Sequence, residues 1–496
     1  MAVQSPWPTP EIPETDLTSF VLRHAERLAG KPALIDGPSG RPLTYGALAA
    51  GVERAAGGLA GRGFGRGDVL ALHLPNLPEF PIALHAGLRA GGVVTCASPL
   101  ATVPELADQL QRARARIVVT VGPLAETAGA AAGGAEVLEL GELLAGGPGE
   151  PPAARSDPGE VALLLASSGT TGLPKLAELT HRALVANLVQ TEIVFPAGEE
   201  DRQLGLAPFF HSMGLACVLH RGLASGSTIV TLARFELEAM FRAMAEHRVT
   251  QAIVAPPLLP AFIHGKVDLP ALRVLGVGGA PTTAALEQAA ADRLGVFAGQ
   301  GYGMTEAAPL IAVAALAEPE RLRHGTTGVI LPGTEVQVVD DEIWVRGPQL
   351  FSGYRDDPDA TAATLDADGW LHTGDLGHVD EGARITITGR RKELIKVRGY
   401  QVAPAELEAV LMGHPAVADA AVAGVPDEAA GERPKAWIVA SGPVDEAELQ
   451  AYVEERVSPY KRLAAIEVVD ELPRSMTGKL LRRVLLERER TEVAMS

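Results

Sequence analysis

Short apolar runs alternate with helical stretches through the first part of this 496-residue chain, and that alternation constrains its fold more than any other feature. Residues 68–74 read as a strand, 79–90 as a helix, 92–96 as a second strand, and 116–121 repeat the theme. Such alternation argues for parallel sheets with covering helices. A Gly/Pro-rich connection at 146–159 follows, and a second alternating series runs from Arg202 to about Val313. Beyond it the elements become shorter and more β-like, through Val329, 336–339 and 343–345. The highly charged segment 390–399 then precedes a C-terminal stretch in which Pro404 can start a helix and Gly413 can stop it. Strand-like 437–439 and 466–469 bracket a helical 446–457. The predicted fold class is α/β. A large N-terminal domain (1–390) has parallel-rich sheets covered by helices and a short β-rich subdomain; a small α+β C-terminal domain (391–496) follows it.

Composition narrows the function. Hydrophobic residues make up 47%, enough for large cores, and the formal charge of −18 argues against non-specific nucleic-acid binding. A local cluster such as Lys392, Lys396 and Arg398 can still serve an anionic substrate, because it acts within a Debye length. Cys96 and Cys217 sit in apolar contexts without metal-ligand spacing and read as inert core thiols. No basic segment followed by an apolar one opens the chain, and no apolar run reaches membrane-span length. The expectation is a cytoplasmic protein with no membrane and no nucleic-acid partner.

Leu165-Ala-Ser-Ser-Gly-Thr-Thr-Gly-Leu-Pro-Lys175 carries the chemistry. It places hydroxyls, glycines and a lysine after an apolar strand (161–165) and ahead of a helix (182–192). Glycines let backbone N–H groups approach phosphate oxygens, hydroxyls add donors, and Lys175 adds positive charge. A Walker loop would need glycine before the lysine and Ser or Thr after it; Pro174 and Leu176 stand there instead.

Further blocks follow in order: Pro208-Phe-Phe-His211, Gly299-Gln-Gly-Tyr-Gly-Met-Thr-Glu306, Thr373-Gly-Asp375, Gly389-Arg-Arg-Lys-Glu-Leu-Ile-Lys396, Arg398-Gly-Tyr-Gln401 and Pro473-Arg-Ser-Met-Thr-Gly-Lys479. Together with the loop, this ordered set resembles the adenylate-forming superfamily of acyl-CoA synthetases and firefly luciferase, closest to 4-coumarate–CoA ligase-like acyl-CoA ligases. The resemblance implies ATP, Mg²⁺ and coenzyme A as cofactors and cosubstrates, and a small-molecule carboxylic acid as substrate. It implies that Ser167, Ser168, Gly169, Thr170, Thr171 and Lys175 hold the departing pyrophosphate, that Glu306 places Mg²⁺, and that Thr305 contacts the α-phosphate. Tyr302 would stack on adenine within a nucleotide site that includes Gln300, Gly301 and Gly303, and Asp375 would hold the ribose beside Arg390, with Lys392 and Gln401 nearby.

The same resemblance makes the small domain mobile about a hinge near Lys392. Lys479 would enter from it and bridge substrate carboxylate and α-phosphate, a contact present only in one orientation. Lys396 serves the other half-reaction, in which Arg398 and Gly399 line a pantetheine tunnel and Arg234 and Arg398 meet CoA phosphates. His211 stands at the carboxylate end of an acyl pocket that also draws on Phe209, Met213, Gly278, Gly279 and Ala280. The many small residues there predict a roomy, apolar pocket for a bulky acid.

Two departures from the family pattern stand beside the loop. Relatives usually read Lys-Gly, whereas here Leu176 adds bulk and Glu178 adds negative charge. They raise an alternative: a thioester-forming enzyme that takes its adenylate from a separate adenylating enzyme. The lysines of both half-reactions are present, so the resemblance favours a complete ATP-dependent carboxylic acid–CoA ligase. An oxygenase of the luciferase kind, a carrier-protein ligase and a non-catalytic acyl-nucleotide binder are further alternatives; Lys479, Lys396 and the Arg398-Gly399 pair speak against the last, and the sequence does not decide between monomer and homodimer.

Overall fold

A computed structural model describes residues 2–153, 155–167, 175–398, 400–427, 430–475 and 478–495. The predicted elements of the first part fall where their apolar runs placed them. Strands Val69–His73, Val93–Ala97 and Ala115–Thr120 pair in parallel, and the helix Phe80–Arg89 covers them. They belong to a seven-stranded sheet that also contains Val161–Ser167, Lys175–Thr180 and, at its edge, Gly353–Tyr354. A nine-stranded sheet has the parallel series Arg202–Gly205, Gln251–Val254, Val274–Val277 and Phe297–Gly303 at its centre. One large apolar core, from Leu17 to Ile385, packs helices between these sheets. The low polarity of strands buried on both faces is what such a layered architecture requires.

The helix expected at 182–192 is present as His181–Val194, but a strand that the sequence did not reveal precedes it. Lys175–Thr180 is a strand antiparallel to Val161–Ser167, with Ser167 opposite Lys175, so the loop joins a hairpin. The helix His181–Val194 begins only afterwards, capped by the Thr180 hydroxyl accepting from the Ala183 N–H. Cross-strand pairing overrides the weak local preference of Lys-Leu-Ala-Glu-Leu-Thr.

The β-rich expectation for the following part is realised as a five-stranded antiparallel sheet through Glu335–Val339, Glu342–Arg346, Leu371–Val379 and Ile385–Arg390. Its tight hairpin turns through Asp340 and Asp341, with φ of 48° and 64°. Two residues of positive φ match the twist of the flanking strands. The last sheet holds Ile395–Val397, Tyr400–Val402, Gly431–Ala440, Val417–Asp427 and Ala465–Val468 around a separate core from Ile395 to Ile466. The helix Pro404–Met412 has proline in its first turn and Gly413 at its C-cap, as read from the sequence. Among the described residues no helix is long and apolar enough to cross a membrane.

Candidate active site

Two antiparallel strands build the best-defined part of the site. Asp375 and Arg390 are directly opposite in the ladder, and Arg390 Nε meets Asp375 Oδ1 at 2.6 Å. The Thr373 hydroxyl accepts from the Asp375 N–H at 3.1 Å, while Tyr302, arriving on Phe297–Gly303, donates its hydroxyl to Asp375 Oδ2 at 2.7 Å. Burial raises the Asp375 pKa, and the Arg390 charge works against that rise. Burial also raises the Tyr302 pKa, helped by the Asp375 charge, so the phenol keeps its proton. A carboxylate held this way can accept hydrogen bonds from neighbouring hydroxyls. Gly301 and Gly303 flank Tyr302 on the same strand, and Gln300 is buried beside them.

A second cluster lies at the phosphate end. Thr305 and Glu306 are buried in a short 3₁₀ turn immediately after that strand. Glu306 Oε1 accepts from the Tyr354 hydroxyl at 2.6 Å, and the Ser167 side chain is close enough to that phenol to act on its titration. Lys175 Nζ lies 5.0 Å from the Tyr354 ring centroid and 3.9 Å from Asp357 Oδ2. Ser167, Lys175 and Glu306 are therefore brought together through Tyr354, which the sequence reading missed. Its only local signal is Gly-Tyr ahead of the Asp357-Pro358 helix start. Ser168, Gly169, Thr170 and Thr171 lie outside the described residues. One buried carboxylate completed by phosphate oxygens and water is a donor set that suits Mg²⁺. Among the described residues, no group of three or more His, Cys, Asp or Glu side chains forms a metal site of its own.

The departures beside the loop fall away from this cluster. Leu176 packs into a small core with Val69, Ala113 and Leu164, and it is not among the residues of positive φ. Side chains alternate along a strand, so Leu176 and Glu178 share the face opposite Lys175. Glu178 pairs with Arg355 at 3.2 Å. The bulk of Leu176 and the charge of Glu178 therefore lie on the strand face away from the Lys175 side chain.

Lys479 comes from the C-terminal unit. It lies within electrostatic reach of Asp375, Arg390, Glu393 and His211, and burial followed by the Arg390 charge lowers its pKa. Arg474 holds the preceding loop through a bidentate pair with Asp419 (2.8 and 2.9 Å) and a bond to the Gly478 carbonyl. Gly478 has φ of 80°, and a Cβ there would stand 2.8 Å from the Ala255 Cβ, so glycine permits the close approach of the two parts. His211 has its pKa lowered to about 4, by burial and then by the Lys479 charge, and is a neutral imidazole near pH 7.

Around His211 the chain forms a buried π-helix, Met213–His220, a backbone form found disproportionately at functional sites. A Cβ on Gly278 would lie 3.4 Å from the Met213 sulfur, so Met213 and Gly278 face each other closely. Gly279 (φ 87°) and Ala280 continue the same loop towards the helix Ala284–Leu294. Phe209 corrects its expectation. Its ring has no exposed surface, packs edge-on against Phe80 at 5.5 Å and belongs to the core instead of a pocket wall.

Other predicted residues stand apart. Lys392, Lys396, Arg398 and Gln401 are exposed, and Lys396 and Gln401 line a groove with Asp340, Asp341 and Arg391. Arg398, at φ 50°, turns the hairpin between Ile395–Val397 and Tyr400–Val402; Gly399 lies outside the described residues. Arg234 is exposed beyond the strand Thr228–Thr231.

The family model described as AMP-binding enzyme matches residues 21–355, and that described as AMP-binding enzyme C-terminal domain matches 406–479. The chain is 39% identical to 4-coumarate–CoA ligase 5 of Oryza sativa subsp. japonica, over 93% of this chain and 92% of the relative. It is 35% identical to peroxisomal OPC-8:0-CoA ligase 1 of Arabidopsis thaliana, over 97% and 95%. Among solved structures it resembles o-succinylbenzoate coenzyme A synthetase from Bacillus subtilis in complex with ATP and magnesium ion, with a TM-score of 0.85 and 29% identity, covering 96% of this chain and 100% of that one. By these matches the chain belongs to the AMP-binding enzyme family and, within it, to the AMP-forming acyl-CoA ligases.

Proposed function

We propose that this chain carries out both halves of an acid–CoA ligation on a bulky, apolar carboxylic acid. In the first half, the acid attacks the α-phosphorus of ATP, giving the acyl adenylate and pyrophosphate. In the second, the CoA thiol attacks the adenylate, giving acyl-CoA and AMP. The position of Lys479 beside Asp375, Arg390 and His211 carries the reading. A cation from the C-terminal unit there would meet the charge that develops on the α-phosphate, the kind of contact that counts most in a transition state. Tyr302 and Asp375 would seat the adenosine, while Ser167, Lys175 and the loop between them would draw off pyrophosphate. Glu306 would share Mg²⁺ with the phosphates, and the metal would neutralise their charge.

For the second half, the C-terminal unit would turn about the Arg391–Glu393 segment near Lys392. Lys396, Arg398 and Gly399 would then approach the adenylate, with Arg234 and Arg398 toward the CoA phosphates. Lys396 and Arg398 are exposed while burial lowers the Lys479 pKa, and this contrast supports separate duties within one unit. The placement of Leu176 and Glu178 favours a complete ligase over one dependent on a separate adenylating enzyme. The free thiols of Cys96 and Cys217, their pKa values pushed up to about 12 by burial, suit a reducing compartment such as the cytoplasm.

The test is ATP–pyrophosphate exchange across a panel of carboxylic acids graded by size. Exchange with large apolar acids is expected; acceptance of acetate-sized acids alone contradicts the proposed substrate class.

A further inference from the structure

Behind the nucleotide strand lies a buried polar cluster that the proposed chemistry does not use. Glu287, in the first turn of Ala284–Leu294, has no exposed surface. Its Oε1 accepts from Gln300 Nε2 at 2.5 Å, and its Oε2 faces His324 Nδ1 at 3.2 Å. The Gly325 backbone N–H is near enough to favour the ionised form of the same carboxyl. Gln300 is itself 5% exposed, and its Oε1 has no partner among the described residues. Gln300 and Tyr302 are two positions apart on one strand and so share a face.

We propose that Glu287 is a positioning residue for nucleobase selection: it fixes the Gln300 amide so that Oε1 faces the base, which favours a purine carrying an amino group at C6. This deepens the proposed ATP-dependent reaction and rests on it. A glutamine amide has nearly the same shape in either of two orientations, and hydrogen bonding alone chooses between them. An ionised carboxylate only accepts, so the amide must turn its NH₂ towards Glu287. Protonation of the pair does not undo this. The shared proton then lies between Oε2 and His324 Nδ1, and Oε1 remains an acceptor. The amide oxygen is left pointing away from Glu287 as an acceptor. The exocyclic amine of adenine can donate to it, whereas the C6 carbonyl of hypoxanthine would set two acceptors face to face.

ATP and ITP differ in this feature, so their ratio reads it directly. The ratio is measured as kcat/KM in pyrophosphate exchange and as Kd by equilibrium titration, for the wild type, Glu287→Gln and Gln300→Met. A chain that fails to adenylate would remove the proposed function, yet the titrations would still report base selection. The wild type is expected to favour ATP by about tenfold or more, the worth of one buried hydrogen bond and its mismatch. In Glu287→Gln the new amide can donate or accept, Gln300 can turn over, and the preference is expected to fall to about threefold or less. Gln300→Met, which keeps the volume without the amide, is expected to lose the preference too. A wild-type ratio in Glu287→Gln, with ATP and ITP weakened equally, reduces Glu287 to a structural group and overturns the proposal. A wild-type ratio in Gln300→Met overturns it independently of how well Glu287→Gln folds.

Discussion

Tyr354, on the edge strand of the seven-stranded sheet, donates its phenolic proton at 2.6 Å to Glu306 Oε1 in the 3₁₀ turn that follows a strand of the nine-stranded sheet. The bond fixes a buried carboxylate at the point where edge strand and 3₁₀ turn meet. Tyr354→Phe removes it and leaves that oxygen unpaired. A lost bond to a charged group costs about 1.5 kcal/mol, so exchange is expected to slow about tenfold. The Mg²⁺ concentration giving half-maximal rate should rise with it. Titrating Mg²⁺ in the exchange assay checks both; an unchanged Mg²⁺ dependence would separate Tyr354 from the metal.

Leu176 and Glu178 depart from the family pattern, yet both point away from Lys175. Leu176→Gly restores the usual residue but empties a packed position. It is expected to destabilise the fold by about 3–5 kcal/mol and to bring no gain in exchange. Glu178→Gln should leave exchange within about twofold, since its partner is Arg355, in a partly buried ion pair on the face away from Lys175. Denaturant melts and exchange rates on the two variants read these outcomes separately.

Lys479 should divide the two half-reactions. Lys479→Ala is expected to lower exchange by about 10²–10³ while leaving thioester formation from a synthetic acyl adenylate nearly intact. Lys396→Ala should show the reverse. Equal losses in both assays for both variants would contradict separate duties.

The pH dependence of stability follows from histidines kept neutral by burial. The pKa of His85 is lowered to about 3 and that of His211 to about 4, and burial lowers those of His73, His181 and His220. In the unfolded chain each titrates near 6.5. Between those values the unfolded state binds more protons, so stability is full above about 6.5 and is lost as pH falls towards 4. Each such histidine contributes a slope of about 1.4 kcal/mol per pH unit. Asp375, its pKa raised by burial, opposes the trend. Urea melts between pH 7.5 and 5 should show the decline; flat stability would contradict the burial of these rings.

Much of this architecture was legible because local and global preferences agree. Pro404 and Gly413 bound a helix at both ends, and the apolar runs at 69–73 and 93–97 can only be buried strands. The site was legible where motifs carry rare combinations, as in the strand ending at Gly303 and the turn holding Glu306. Lys175–Thr180 was not, since its partner strand decides its conformation. Nor was the π-helix Met213–His220, whose i→i+5 bonding leaves no sequence period to read. Phe209 was misplaced because its neighbour His211 marks a site while its own ring fills a core position against Phe80. Tyr354 escaped notice because a single tyrosine acquires its role only when the sheet edge carries it to Glu306.

The most direct test of a complete ligase is product stoichiometry. The purified chain alone is supplied with ATP, Mg²⁺, CoA and the best acid, and acyl-CoA, AMP and pyrophosphate are quantified together. Equal amounts of all three are expected. Thioester that forms only when a preformed acyl adenylate is added, with no pyrophosphate released from ATP, would contradict the account.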